Sequence, residues 1–131
     1  MFLPCPDDNA EQTLSDPRAF FHALGDLHDC EVLMFEVNMT KQEISLVVDD
    51  LYANFLELPE YPGKQPVRLT FSGVDEIETR IALDSLPARI MDLEVEVHSG
   101  LQAHVILRFQ PSGHIGINCE AIACRTTEPA M

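Results

Sequence analysis

The chain has 131 residues and a mass of 14.7 kDa, which is the size of one ordinary domain with a single core. Hydrophobic residues make up 46% and charged residues 23%, a composition typical of a globular protein and not of a disordered chain. Eight Lys and Arg stand against 22 Asp and Glu, so the formal net charge is −14. This charge argues against nucleic acids and anionic membranes as partners, because both are bound through Lys and Arg.

The compartment is predicted from what the sequence lacks. No apolar run approaches the roughly 18 residues of a membrane span, and the N-terminal residues lack the basic and apolar regions of a signal peptide. We therefore expect a cytoplasmic protein. Disulfides need an oxidising compartment, so thiols are predicted for the four cysteines, Cys5, Cys30, Cys119 and Cys124.

The N-terminal region predicts an arm followed by a short helix. Residues 1–13 are polar and contain two prolines, which favours a loose arm. Asp16 is a good N-cap, and Pro17 suits the first helical position, where its missing N–H costs nothing. Gly25 is expected to end the helix. The stripe formed by Phe20, Phe21 and Leu24 must then dock on the remainder of the domain.

From Cys30 onward the hydrophobic pattern is typical of strands. The segment 32–35 has apolar residues on both faces, which predicts a central strand buried on both sides. A second strand is predicted over 44–48, and a half-buried strand over 67–72 that Gly73 ends or bends. Residues 51–58 are ambiguous between extended chain and a short helix, and 75–88 are expected to be irregular.

The C-terminal third predicts a three-stranded antiparallel meander. Three segments carry apolar residues at odd positions: 91–97, 101–109 and 115–123. With a three-residue loop at 98–100 and a five-residue loop at 110–114, Glu94 is expected to face His104, and Glu120 to flank His104 on the other side.

These elements predict a mainly β (α+β) fold. We expect antiparallel sheets that form a two-layer sandwich or a half-open barrel, with one short N-terminal helix and the C-terminal meander. Residues 14–131 would form this single β-rich domain.

The predicted row Glu94, His104 and Glu120 is a candidate site. Imidazole and carboxylate groups bind divalent metals, and carboxylates beside a histidine also support acid–base catalysis. The alternative interpretation is a set of opposite charges that stabilises the sheet, which is common on exposed faces.

Other candidates carry less chemistry. The pair His28-Asp29 is typical of metal phosphohydrolases only when further ligands accompany it, and a structural role at a turn is the alternative. Cys119 and Cys124 are five residues apart, so on one strand they would project to opposite faces. The sequence has no phosphate loop, nucleophile elbow or zinc-binding helix motif, and no cofactor is predicted.

The acidic residues themselves suggest a binding function. They cluster near the N-terminus, around residues 49–60 and at 75–78. A high net charge keeps a small domain soluble, but it also steers a basic partner into contact. The residues predicted to bind such a partner are Asp26, Asp29, Glu31, Asp49, Asp50, Glu57 and Tyr61, the last lying in a proline-rich loop.

Two segments resemble a known group of proteins. The sequence Leu27-His28-Asp29-Cys30-Glu31-Val32 and the later Leu69-Thr70-Phe71-Ser72-Gly73-Val74 are similar to small bacterial β-rich proteins with a His-Asp opening and a Phe-x-Gly-Val strand end. Many are uncharacterised, and some are classed as immunity proteins of polymorphic toxin systems. The resemblance covers roughly residues 24–78 and implies a toxin-neutralising binding protein without catalysis.

Three hypotheses follow. The first is a cytoplasmic, non-enzymatic domain, of the immunity type, that binds a basic protein partner. The second is a small metal- or ligand-binding enzyme that uses Glu94, His104 and Glu120. The third is a homodimer or larger homo-oligomer built by pairing of edge strands.

Overall fold

The computed structural model describes residues 11–55, 57–59, 61, 63–81, 88–97, 102–110 and 112–127. These residues form one α-helix and nine β-strands. In chain order they are β1 (Gln12–Thr13), α1 (Pro17–Ala23), β2 (Val32–Asn38), β3 (Glu43–Val48), β4 (Val67–Ser72), β5 (Glu76–Arg80), β6 (Arg89–Val97), β7 (Ala103–Gln110), β8 (His114–Cys119) and β9 (Ala121–Thr126). None of the helical segments in this described part is long and apolar enough to cross a membrane.

The strands build two antiparallel sheets. Sheet A has five strands in the order β1-β9-β4-β3-β2, and sheet B has four in the order β5-β8-β7-β6. The core lies between them and includes Leu46, Phe71, Val105 and Ile117, each at most 1% exposed. The mainly β, sandwich-like α+β fold predicted from the sequence is confirmed, and the sheets are not closed into a barrel.

Helix α1 forms as predicted. The carboxylate of Asp16 accepts a hydrogen bond from the Ala19 backbone N–H at 3.1 Å, and Pro17 occupies the first turn. Gly25 follows the helix with a φ of +70°. Because seven residues cannot hold a helix alone, its stability comes from Phe21 and the adjoining Leu24, which are buried in the core.

The two sheets share one folded ribbon. Strands β4 and β9 pair in sheet A, and their continuations β5 and β8 pair in sheet B. The ribbon turns at Gly73 and Glu120, where the Glu120 N–H donates to the Ser72 carbonyl at 2.9 Å. Gly73 has a φ of +63°, and an added Cβ would lie 2.7 Å from Glu120 Cγ. The corner therefore requires glycine at this position.

The inward faces of the meander are confirmed, but its third segment is not one strand. Val95 (5% exposed), Val105 (0%) and Ile117 (1%) all point into the core. The segment predicted over 115–123 instead breaks at Glu120 into β8 and β9, which belong to different sheets. The corner also changes the inward set, so that Ile122 faces the core in β9.

The predicted register is wrong by two residues on both sides of β7. Val97 lies opposite Ala103, so five residues (98–102) connect them instead of three. His104 lies opposite Glu96 and Asn118. Burial of the odd-numbered side chains requires only that the numbers of two paired residues sum to an even value. Registers that differ by two residues all meet this requirement, and the length of each connection selects among them.

Strand β2 is at the edge of sheet A, not at its centre. The apolar residues on both its faces led to the wrong prediction. A bulge between Val32 and Met34 leaves Leu33 54% exposed. Because the bulge shifts the alternation of side chains along β2, apolar residues at consecutive positions do not indicate burial of both faces here.

Two further expectations are corrected. The segment predicted to be irregular over 75–88 contains β5, which the sequence pattern did not indicate because its five residues are all exposed. The predicted N-terminal arm ends in β1, which pairs with β9 and is therefore not loose at Gln12–Thr13. Residues 1–10 of that arm lie outside the described residues.

The corner makes a prediction about stability. Gly73→Ala should lower the free energy of unfolding by about 2 kcal/mol, because alanine is strained at positive φ and its Cβ would collide with Glu120. Gly116→Ala is the matched control, since its added Cβ would meet nothing closer than 3.9 Å. Urea denaturation of both variants tests this, and an equal effect of the two substitutions would contradict it.

Candidate functional site

The outer face of sheet B, called here the polar face, carries negative charge along both edges. Three cross-strand rows make up this face: Glu96–His104–Asn118–Glu76, Glu94–Ile106–Gly116–Glu78 and Asp92–Arg108–His114–Arg80. Carboxylates predominate on the edge strands β6 and β5, where Arg80 is the exception, whereas the central strands carry imidazole, guanidinium, amide, aliphatic and glycine groups. The result is a surface with acidic borders and central strands that carry no carboxylate in these rows.

Ion pairs neutralise part of this charge. Arg108 donates from Nη1 to Asp92 at 2.8 Å and from Nη2 to Glu94 at 3.1 Å. The hydrogen bonds to these two carboxylates raise the pKa of Arg108. His114 Nε2 lies 3.1 Å from the Glu78 carboxylate. No described cation forms an ion pair with Glu96, which is exposed at the border.

The predicted row Glu94–His104–Glu120 is wrong, because it rested on the wrong register. Glu94 lies opposite Ile106 and binds Arg108. Glu120 lies at the corner between the sheets, packed against Gly73. Within the described ranges, no group of three or more His, Cys, Asp or Glu side chains is arranged to hold a metal ion. A carboxylate does face His104, but it is that of Glu96.

A groove of about 530 Å³ runs between helix α1 and strand β6. It is lined on one side by residues of α1 and on the other by the edge of β6 from Leu93 to Val97. The lining side chains include three carboxylates and two basic groups: Asp26, Glu94, Glu96, Arg18 and His22. This α1–β6 groove adjoins the acidic border of the polar face, so the two form one continuous surface.

A left-handed turn places Asp26 in this groove. Gly25, Asp26 and Leu27 have φ values of +70°, +56° and +57°. Left-handed geometry costs roughly 1–2 kcal/mol for each residue with a Cβ. The surrounding packing offsets this cost, since Leu27 is completely buried. Backbone strain of this kind is often found at functional sites.

The next residues fasten the turn to β6. The His28 Nδ1–H donates to the Met91 carbonyl at 2.7 Å, and the Asp29 N–H donates to the Ile90 carbonyl at 2.9 Å. The Asp29 carboxylate lies 3.6 Å from His28 Nε2. The His-Asp pair therefore has the structural role given as its alternative interpretation, between the helix and the sheet.

Asp50 is not available to a partner, contrary to its prediction as a binding residue. It is 5% exposed. Its Oδ1 accepts from the backbone N–H groups of Tyr52 at 3.0 Å and Gln65 at 3.1 Å, and its Oδ2 accepts from the Tyr61 hydroxyl at 2.6 Å. A buried carboxylate needs such donors, and this one orders the loop that follows β3. Tyr61 is correspondingly half-buried.

The other predicted acidic residues have separate surroundings. Asp26 lines the α1–β6 groove. Asp49 Oδ1 accepts from the Glu31 backbone N–H at 2.8 Å, beside the bridge that joins Glu31 to Arg89 at the start of β6. Glu57 is exposed. Asp92, Glu94 and Glu96 alternate with apolar residues along β6, and of these three only Glu94 was predicted as a site residue.

The three described cysteines are free thiols, as predicted, and Cys5 lies outside the described residues. The Cys30 Sγ donates to the Asp50 carbonyl at 2.9 Å. Burial raises the pKa of all three thiols, to about 11 for Cys119 and about 12 for Cys124. A thiol that stays protonated is a poor nucleophile, so these side chains act as small buried apolar groups.

Comparisons with known proteins bear on the fold alone. No family model and no curated protein matches the chain. A solved structure of an uncharacterized protein from Neisseria gonorrhoeae is similar, with a TM-score of 0.53 and 11% sequence identity over 92% of this chain and 99% of that one. At this identity the likeness shows a similar fold and carries no information on function.

The Asp50–Tyr61 hydrogen bond predicts a dependence of stability on pH. Burial, followed by the hydrogen bond to Asp50, raises the pKa of Tyr61 from 10.0 to about 12. The stability that the phenol provides is therefore complete below pH 10 and is lost as the pH rises from about 10 to about 12.

Tyr61→Phe should be less stable than the wild type by about 1–2 kcal/mol at neutral pH. This difference should shrink above pH 10, because only the wild type loses the contribution of the phenol. Denaturation curves across the alkaline range provide the measurement. A difference that stays constant up to pH 12 would contradict the assignment.

Proposed function

We propose that this protein is a non-enzymatic binding module that recognises a basic protein through the α1–β6 groove and the adjoining border of the polar face. The observation that carries the proposal is the acidic border of β6, where Glu94 and Glu96 are exposed beside a groove that also contains Asp26. Arg108 neutralises part of this charge, and Glu96 has no cationic partner among the described residues.

The net charge of the chain supports the same conclusion. At −14 the molecule attracts cations over its whole surface, which speeds the approach of a basic partner, while contacts at the groove would provide selectivity. Attraction of this kind weakens as salt is added. It also opposes association of two copies of the chain, so a basic partner is favoured over a homodimer.

The resemblance to immunity proteins suggests what kind of partner this protein would bind. A toxin with a basic surface is a partner of the required chemistry, and neutralisation would need tight binding without any reaction. In this form the protein acts in the cytoplasm. The alternative of a metal-dependent enzyme loses its main support, because the three residues that suggested it do not form one row.

Affinity capture followed by reconstitution tests the proposal. The partner retained by the immobilised protein should be basic. Once purified, it should bind with an affinity that falls by at least about tenfold between about 0.05 M and about 0.5 M salt. The proposal would be contradicted if the affinity did not depend on the salt concentration, or if the immobilised protein retained no basic protein.

A charge reversal locates the surface. Glu96→Lys should weaken binding of the purified partner by on the order of tenfold, because it places a like charge in the contact. Glu36→Lys is the matched control, since Glu36 is also exposed but lies on β2 in the other sheet. Titration calorimetry of both variants provides the measurement. Equal loss in the two would mean that net charge alone, and not this groove, governs binding.

A further inference from the structure

Among the described residues, no strand pairs with the edge of β6 along the α1–β6 groove. β6 is the last strand of sheet B, and on its outer side the described residues form a bridge only at its start, between Glu31 and Arg89. From Leu93 to Val97 the strand lines the groove.

The hydrogen-bond pattern of the sheet shows which backbone groups face the groove. The Asn118 carbonyl accepts from the Asp75 N–H, so the backbone groups of Asn118 point toward β5 and away from His104. His104 must therefore exchange hydrogen bonds with Glu96 on its other side. Successive residues of a strand point their N–H and C=O groups to opposite sides. Because those of Glu96 point toward β7, the residues that alternate with it along β6 point theirs outward, toward the groove. These outward residues are Leu93, Val95 and Val97.

The start of β6 gives the same result independently. The Ile90 N–H donates to the Cys30 carbonyl, and the Ile90 carbonyl accepts from the Asp29 N–H, so Ile90 also points outward. After the bulge at Met91 the alternation places Leu93 outward again. No described residue forms a hydrogen bond with the outward groups of Leu93, Val95 or Val97.

The side chains around this edge select the charge of an occupant. Asp26 stands at the left-handed turn, and Glu94 and Glu96 project from β6 itself. Arg18 and His22 lie on the helix wall, so the carboxylates outnumber the one permanent cation of the groove. An extended segment with alternating side chains would present its backbone to β6 and its basic groups to these carboxylates.

We propose that an extended segment of the partner, rich in lysine or arginine, adds to sheet B as a new strand along the edge of β6 between Leu93 and Val97. This inference rests on the proposed function and specifies how the partner is bound. Backbone hydrogen bonds would supply affinity for any extended chain, and the carboxylates would select a basic one.

Three synthetic peptides test the proposal without knowledge of the partner. The first alternates lysine and threonine. The other two have the same sequence with N-methyl groups on the backbone of alternate residues, one at the lysines and one at the threonines. The methyl groups remove donors and block strand pairing but leave the charge unchanged. The first peptide should shift the amide resonances of Leu93, Val95 and Val97 in isotope-labelled full-length protein and slow their hydrogen exchange. One methylated version should bind about tenfold more weakly.

The outcomes separate the two proposals. If all the peptides bind equally and binding depends on salt, strand addition is overturned and the proposed function stands. If no peptide binds at millimolar concentration, both are overturned. Amide shifts confined to β2, the edge of the other sheet, also overturn strand addition at β6.

A pair of variants checks the role of charge in the same assay. Glu96→Gln should weaken binding of the unmethylated peptide several-fold, whereas Glu36→Gln, on the outer face of sheet A, should leave it unchanged. If the two variants bind the peptide with equal affinity, the conclusion that the groove carboxylates select a basic segment is overturned.

Discussion

The architecture depends on the corner at which one ribbon of paired strands passes from sheet A to sheet B. Because β4 and β9 remain paired as they become β5 and β8, the two sheets cannot slide past each other without breaking that ribbon. The bend requires the left-handed geometry of Gly73, over which the Glu120 side chain packs. It also makes β5 an edge of sheet B, and the meander that continues from β8 ends in the other edge, β6.

The sheets are joined a second time at the opposite side, through short polar segments instead of a shared ribbon. The bridge between Glu31 and Arg89 links the approach to β2 with the start of β6, and the Asp49 carboxylate holds the Glu31 N–H. The adjacent Asp50 points inward and binds three donors. A carboxylate is expensive to bury without such partners, so these hydrogen bonds help to specify this part of the fold, in addition to the apolar packing of Leu51 and Phe55.

The sequence predicted the features that depend on local patterns. Alternation correctly identified the inward side of Val95 and Val105, and capping residues correctly located the helix. The register failed because two registers separated by two residues bury the same side chains, and only the connections distinguish them. The role of Asp50 could not be predicted either, because its partner Tyr61 is eleven residues away and a pair of aspartates after a strand is usually solvated.

The carboxylates of β6 have two physical effects on the edge they occupy. An open edge strand pairs readily with another chain, and charged side chains limit this. If two copies of β6 met edge to edge, Glu94 and Glu96 of one would approach those of the other, and like charges on paired strands are destabilising. A strand with lysine at the facing positions would gain attraction from the same groups. The charge that keeps two copies apart is thus the charge that would admit a basic partner, so solubility and selectivity need not be separate properties of this surface.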